Sequence, residues 1–128
     1  MRILAVFAHP DDEAFGPAGT LAGYAQTGHA VRLVTMTRGE AGSLGPARHL
    51  TPPELGRLRS KELRCSAAAL HLSGLNIYHL PDGKLAELPV VQGLAIVRHE
   101  IENFLPDAII SFHSAGISGH PDHRTVAR

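Results

Sequence analysis

An α/β fold, a Rossmann-like doubly wound and mostly parallel sheet with helices on both faces, is predicted by three observations. Residues 3–8 are a continuous apolar run of strand length and residues 31–37 a second strand-length run rich in β-branched residues, as expected for strands covered on both faces. A helical pattern lies between them. Further strand-length runs then alternate with helical stretches through the 128 residues, and such alternation builds a parallel sheet from right-handed βαβ units.

The elements follow in order. Pro17 suits a first helical position, Leu21, Ala22 and Ala25 share one face, and Gly28 is placed as a C-terminal stop. Residues 38–53, rich in Gly, Pro, Ser and charge, read as a loop at the carboxyl end of the second strand, long enough to carry function. Thr51 and Glu54 have capping-box spacing, with Pro52 at the first helical position. The helix they open has an apolar stripe of Leu55, Leu58, Cys65, Ala69 and Leu72, interrupted by Glu62. Residues 76–80 predict a short third strand, and Pro81, Asp82 and Gly83 a turn after it. Val90, Leu94, Val97, Ile101 and Phe104 keep helical period until Pro106 stops it, and residues 108–112 predict a fourth buried strand. In the expected strand order the first and fourth strands are neighbours at the switch point, where ligands bind in open α/β sheets.

Length and a 44% hydrophobic content fit one domain, residues 1–128, with its own core. Twelve Lys and Arg balance twelve Asp and Glu, so no overall field attracts nucleic acid or an anionic membrane. The N-terminal apolar run is shorter than a signal h-region or membrane span, and a cytoplasmic protein is expected. The single cysteine, Cys65, excludes an internal disulfide and a thiolate cage, and is expected to be a small buried apolar residue.

Chemistry concentrates in two clusters. His9, Pro10, Asp11, Asp12 and Glu13 follow directly on the first strand, and His120, Pro121, Asp122 and His123 come after the fourth. Two adjacent carboxylates beside an imidazole repel one another unless a cation or shared protons hold them together. A catalytic zinc wants three ligands from His, Asp or Glu and one open position, which His9, Asp12 and His123 would supply. Adjacent residues leaving a strand point in different directions, so Asp11 is assigned as general base, facing water that the metal activates. Pro121 fits the first position of a helix, with His120 at its cap and off the metal, placed to stabilise a substrate oxyanion. Asp122 could hold or orient a protonated imidazole. Glu13 reads as a supporting or helix-capping group, and His113 and the five remaining histidines as structural or surface residues. An iron oxygenase would also use two histidines and a carboxylate, but Asp11 and His120 suit hydrolysis. A nucleotide site is disfavoured because the first loop lacks G-x-G-x-x-G and carries three acidic groups.

Residues 8–13 (AHPDDE) and 119–123 (GHPDH), with residues 19–22 and 37–40, resemble the paired signatures of the LmbE/PIG-L family of zinc-dependent N-deacetylases. The resemblance implies deacetylation of small molecules that contain N-acetylglucosamine, zinc at His9, Asp12 and His123 with ferrous iron as an alternative, a base at Asp11, and an electrophilic His120 supported by Asp122. It further implies that Arg59, in an Arg-x-x-Glu pattern with Glu62 as its partner, reaches the substrate, that Asp82 touches sugar hydroxyls, and that Arg38 and Glu40 line the same rim. Family members continue past the second motif, so the resemblance implies a domain that lacks its C-terminal part. A non-catalytic zinc- or sugar-binding protein of the same fold is the alternative, and a homo-oligomer is left open.

Overall fold

The computed structural model describes residues 1–45 and 49–128, so residues 46–48 of the long loop lie outside the described residues. Strands β1 (Arg2–Phe7), β2 (Ala30–Thr35), β3 (Gly74–Ile77) and β4 (Ala108–Ile110) form one sheet in the order β3-β2-β1-β4. All three pairings are parallel. β1 therefore has β2 on one side and β4 on the other, and the winding direction reverses between β1 and β4.

The two faces of β1 account for the layers. Ile3, Ala5 and Phe7 pack with Leu21 of α2 (Ala18–Gln26) and Leu63 of α3 (Pro52–Ala69). Leu4, Val6 and Ala8 pack on the other face with Phe104 of α4 (Val90–Phe104), flanked by Ile96, Val97 and Ile101. The buried Ile, Leu, Val and Phe side chains among these each contribute about 1.5–3 kcal/mol of transfer free energy, so β1 is the strand most firmly set. It is also the strand that delivers the first motif. No helix among the described residues is long and apolar enough to cross a membrane.

Helix ends follow local chemistry. Glu54 accepts hydrogen bonds from the Thr51 N–H (2.8 Å) and hydroxyl (2.6 Å), forming the expected capping box of α3. Pro17 sits at the cap of α2 rather than one residue inside it. Gly28, at φ +85°, donates its N–H to Ala25 O and ends the helix.

Several expectations need correction. β3 begins two residues before the expected start because its ladder with β2 runs from Gly74 opposite Arg32 to Ile77 opposite Thr35. β4 is an edge strand of three residues, not a buried one: it pairs only with β1, and Ile109 is half exposed. On α3 the inward residues are Leu55, Gly56, Leu63 and Ala67, while Glu62 and Cys65 are exposed. Gly56 faces the side chains of Arg38 and Glu40, which a Cβ there would meet at 3.3–3.4 Å. On α4, Val90 and Leu94 are exposed and Glu100 is buried instead. Its carboxylate is tolerated there because it accepts from Asn76 Nδ2 (2.7 Å) and the Tyr78 hydroxyl (2.6 Å) and faces Arg32 at 3.4 Å.

Candidate metal and catalytic site

The adjacency of β1 and β4 brings the two motifs together. His9 and Pro10 continue the buried end of β1, and the chain turns at Asp11 into the short helix α1 (Asp12–Phe15). After β4 the chain passes through α5 (Gly116–Gly119) to His120, which caps α6 (Pro121–Val126) with Pro121 in its first turn. Neither α1 nor α5 is expected from periodicity, being too short to show any.

Two imidazole nitrogens and the two oxygens of one carboxylate converge. His9 Nδ1 lies 3.2 Å from His123 Nε2 and 3.5 Å from Asp12 Oδ2, and His123 Nε2 lies 3.1 Å from Asp12 Oδ1. Ligands bonded at about 2.0–2.1 Å around a tetrahedral zinc stand about 3.3–3.5 Å apart, so these residues fit such an ion. The same two nitrogens and one oxygen would suit ferrous iron. The opposite edge of each ring is already engaged. His123 Nδ1 faces Gly116 O at 3.1 Å, which makes Nδ1 the donor and leaves Nε2 free to ligate. Phe112 stacks on the His123 ring, with centroids 4.2 Å apart and planes at 9°. Gly116 must be glycine here: its φ is +73°, and a Cβ would meet His123 Cβ at 3.0 Å and Arg124 Cγ at 2.9 Å.

His9 is held from behind by two carboxylates. Its Nε2 stands 3.1 Å from both Asp82 Oδ1 and Asp122 Oδ2. Asp122 is fully buried and also accepts from the Gly83 and Leu85 N–H groups at 2.8 and 3.0 Å. Burial works against a protonated His9, yet its hydrogen bonds to Asp12, Asp82 and Asp122 outweigh this and push its pKa up to about 10. For Asp82, burial raises the pKa, but the bonds from His9 and the Ala41 N–H win and hold the carboxyl below its ordinary value.

Two further expected residues have their contacts here. Asp122, expected behind His120, instead directs its carboxylate to His9; its link to His120 is through its own N–H, donated to His120 Nδ1 at 3.1 Å. That bond makes Nδ1 an acceptor, so a neutral His120 carries its proton on Nε2 and can donate it. Asp82, expected on the sugar, has Oδ1 on His9 and Oδ2 on the Ala41 N–H at 2.7 Å. It ties the loop after β2 to the site. Two other groupings share this edge: His9, His120 and His123, and His9, Asp82 and Asp122, each present atoms close enough for a cation.

Asp11 stands apart from that cluster. It caps α1 at φ 113° and ψ −25°, a left-handed conformation that costs a residue other than glycine about 1–3 kcal/mol. Its Oδ2 accepts from Arg59 at 2.7 Å, and Arg59 also donates to Pro10 O and to Gly39 O (2.9 Å). The partner of Arg59 is therefore Asp11, not the exposed Glu62. Burial pushes the Asp11 carboxyl up, opposed by Arg59 and reinforced by Asp12 and Glu13. Gly39, at φ +70°, leaves room for the arginine: a Cβ there would sit 2.2 Å from Nη1. Arg38 lies along α3 with a buried Nε that has no partner among the described residues. Its N–H donates to Glu40. Of the predicted site residues, His9, Asp12, Asp82, His120, Asp122 and His123 thus cluster, Asp11 and Arg59 form an adjoining pair, and Arg38 lies on the flanking loop.

Residues 4–128 match the family described as PIG-L, GlcNAc-PI de-N-acetylase. The chain belongs to the PIG-L family. Among curated relatives, the 1D-myo-inositol 2-acetamido-2-deoxy-alpha-D-glucopyranoside deacetylase of Kineococcus radiotolerans is 32% identical over 98% of this chain and 42% of its own length. The probable N-acetyl-alpha-D-glucosaminyl L-malate deacetylase 2 of Bacillus anthracis is 32% identical over 95% of this chain and 54% of its own. Among solved structures, N,N'-diacetylchitobiose deacetylase from Pyrococcus horikoshii, complexed with its inhibitor, superposes with a TM-score of 0.84 at 27% identity, covering 98% of this chain and 46% of that one. The PIG-L chain described here spans about half the length of the curated relatives it matches.

Proposed function

We propose that this chain carries the centre of a zinc-dependent N-deacetylase that hydrolyses the acetamide of an N-acetylglucosamine-containing small molecule to acetate and a free amine. The observation that carries the reading is the approach of His9 Nδ1, His123 Nε2 and Asp12 to 3.1–3.5 Å of one another, beside a carboxyl group, Asp11, that none of those contacts uses. Support for the substrate class comes from the relatives, whose names describe deacetylation of inositol- and malate-linked glucosaminyl compounds.

The proposed roles follow from the residues. Zinc held by His9, Asp12 and His123 would bring the pKa of its water to about 7 and polarise the acetamide carbonyl. Asp11 takes the proton from the attacking water; the upward push of burial on its carboxyl brings it nearer to neutral pH, where a base is most effective. His120, with Nδ1 engaged by the Asp122 N–H, turns its Nε2–H to the carbonyl oxygen as negative charge develops there. One donor of this kind is worth about 3 kcal/mol in such reactions. Arg59 fixes the Asp11 carboxylate and is the group proposed to meet a sugar hydroxyl.

The test is acetate release from N-acetylglucosaminyl malate and N,N'-diacetylchitobiose by metal-stripped protein, with and without added zinc. Zinc-restored release is expected. Tight zinc binding without release from either compound would contradict the deacetylase reading and favour a binding role.

A further inference from the structure

We propose that Glu13 is a positioning residue: its buried carboxylate, anchored to Ser66 of α3, holds the Asp11 backbone in the conformation that presents the Asp11 carboxyl group to the site. The inference builds on the reading of Asp11 as the base.

Asp11 has φ 113°, where side chains other than glycine are rarely found. Such a conformation persists only if its surroundings over-determine it. The surroundings here come from α3. Glu13 is 2% exposed. Its Oε2 accepts the Asp11 N–H at 3.0 Å, and its Oε1 accepts the Ser66 hydroxyl at 2.6 Å. Ser66 lies seven residues after Arg59, two turns along the same helix face. α3 thus holds Asp11 twice, by its side chain through Arg59 and by its backbone through Ser66 and Glu13.

A carboxylate is a costly filler at this point. Asp11 and Asp12 stand next to it in sequence, and burying a third like charge beside them is unfavourable. An apolar side chain would fill the space without that repulsion. What it would not do is accept from two donors. The Asp11 N–H is only partly buried, so without Glu13 it is expected to turn outward to water and carry the carboxyl group with it. Glutamine can meet the same need, with its oxygen on the Asp11 N–H and its amide nitrogen donating to Ser66 Oγ.

The experiment compares Glu13→Gln and Glu13→Met with the parent protein, each loaded with zinc, by amide hydrogen exchange and steady-state kinetics. In Glu13→Met the Asp11 amide should lose about tenfold or more of its protection while those of β1 and α3 keep theirs. Zinc should still bind, and kcat should fall about 100-fold with little change in KM, the signature of a misplaced group rather than lost binding. Glu13→Gln should restore both properties to near the parent values. Ser66→Ala, a milder change, should shift the same amide in the same direction. The proposal is overturned if Asp11 protection is unchanged in Glu13→Met and Ser66→Ala, if the β1 and α3 amides lose protection together with it, or if glutamine is no better than methionine. Absence of acetate release from the parent protein would count against the deacetylase reading alone, because the amide measurement still decides the role of Glu13.

Discussion

His9 Nδ1 stands 3.2 Å from His123 Nε2 although 114 residues separate them. The distance is set by the sheet. β1 and β4 are parallel neighbours, so the residues that leave their carboxyl ends enter the same crevice. Neither motif brings these groups together alone: His9 and Asp12 come from the first, and His123 approaches both from the second.

Removal of a ligand should be felt more than removal of a neighbour. Asp12→Ala and His123→Ala are each expected to weaken zinc binding by more than about 100-fold, beyond the range of outer-shell substitutions. His120→Ala should leave affinity near that of the parent protein and lower acetate release. Zinc titration of the three stripped variants checks both statements.

Asp122 supports His9 and also satisfies two backbone donors. Asp122→Ala should therefore weaken zinc binding by about 10–100-fold and lower the stability of the metal-free protein by at least about 1–3 kcal/mol, because the Gly83 and Leu85 N–H groups lose their acceptor. Zinc affinity and the denaturation midpoint of the stripped protein report the two effects separately.

Asp11→Asn preserves the shape of the side chain and removes its basicity. Acetate release should fall by about 10²–10⁴-fold with zinc affinity nearly unchanged. Equal loss of both would place Asp11 among the ligands.

Tyr78 gives a pH dependence through groups outside the His and Asp cluster. Burial and its hydrogen bond to Glu100 push its pKa from 10 up to about 12. A group whose pKa is raised by folding stabilises the native state fully below the unfolded value, and that contribution is lost as pH rises towards the folded one. Between pH 10 and about 12 the protein should thus lose stability that Tyr78→Phe does not lose, and phenolate absorbance should show one of the two tyrosines ionising late.

Much of this was legible because it is local or strongly periodic. The apolar run of β1, the Thr51 and Glu54 capping box and the Pro121 helix start each announce themselves within a few residues. The convergence of the two motifs was legible because both follow strands expected to be neighbours at the switch point. What could not be read were relationships fixed only by the packed chain. Nothing near Arg59 in sequence points to Asp11, and Glu62, one turn away, is the more obvious partner. Asp82 looks like a turn residue and turns inward because His9 and the Ala41 N–H both face it. Glu100 lies among apolar positions of α4, and only the assembled sheet supplies Asn76, Tyr78 and Arg32 to bury it. Gly39 gives a sequence signal only as a loop glycine, whereas its role is to admit the Arg59 guanidinium.

The most direct test of the account is a crystal structure with zinc, the ion being located by anomalous scattering. The account predicts a single zinc about 2.0–2.2 Å from His9 Nδ1, His123 Nε2 and the Asp12 carboxylate, with Asp11 near its open position. Zinc bound through His9 Nε2 to Asp82 and Asp122, or held by His120 in place of Asp12, would contradict it.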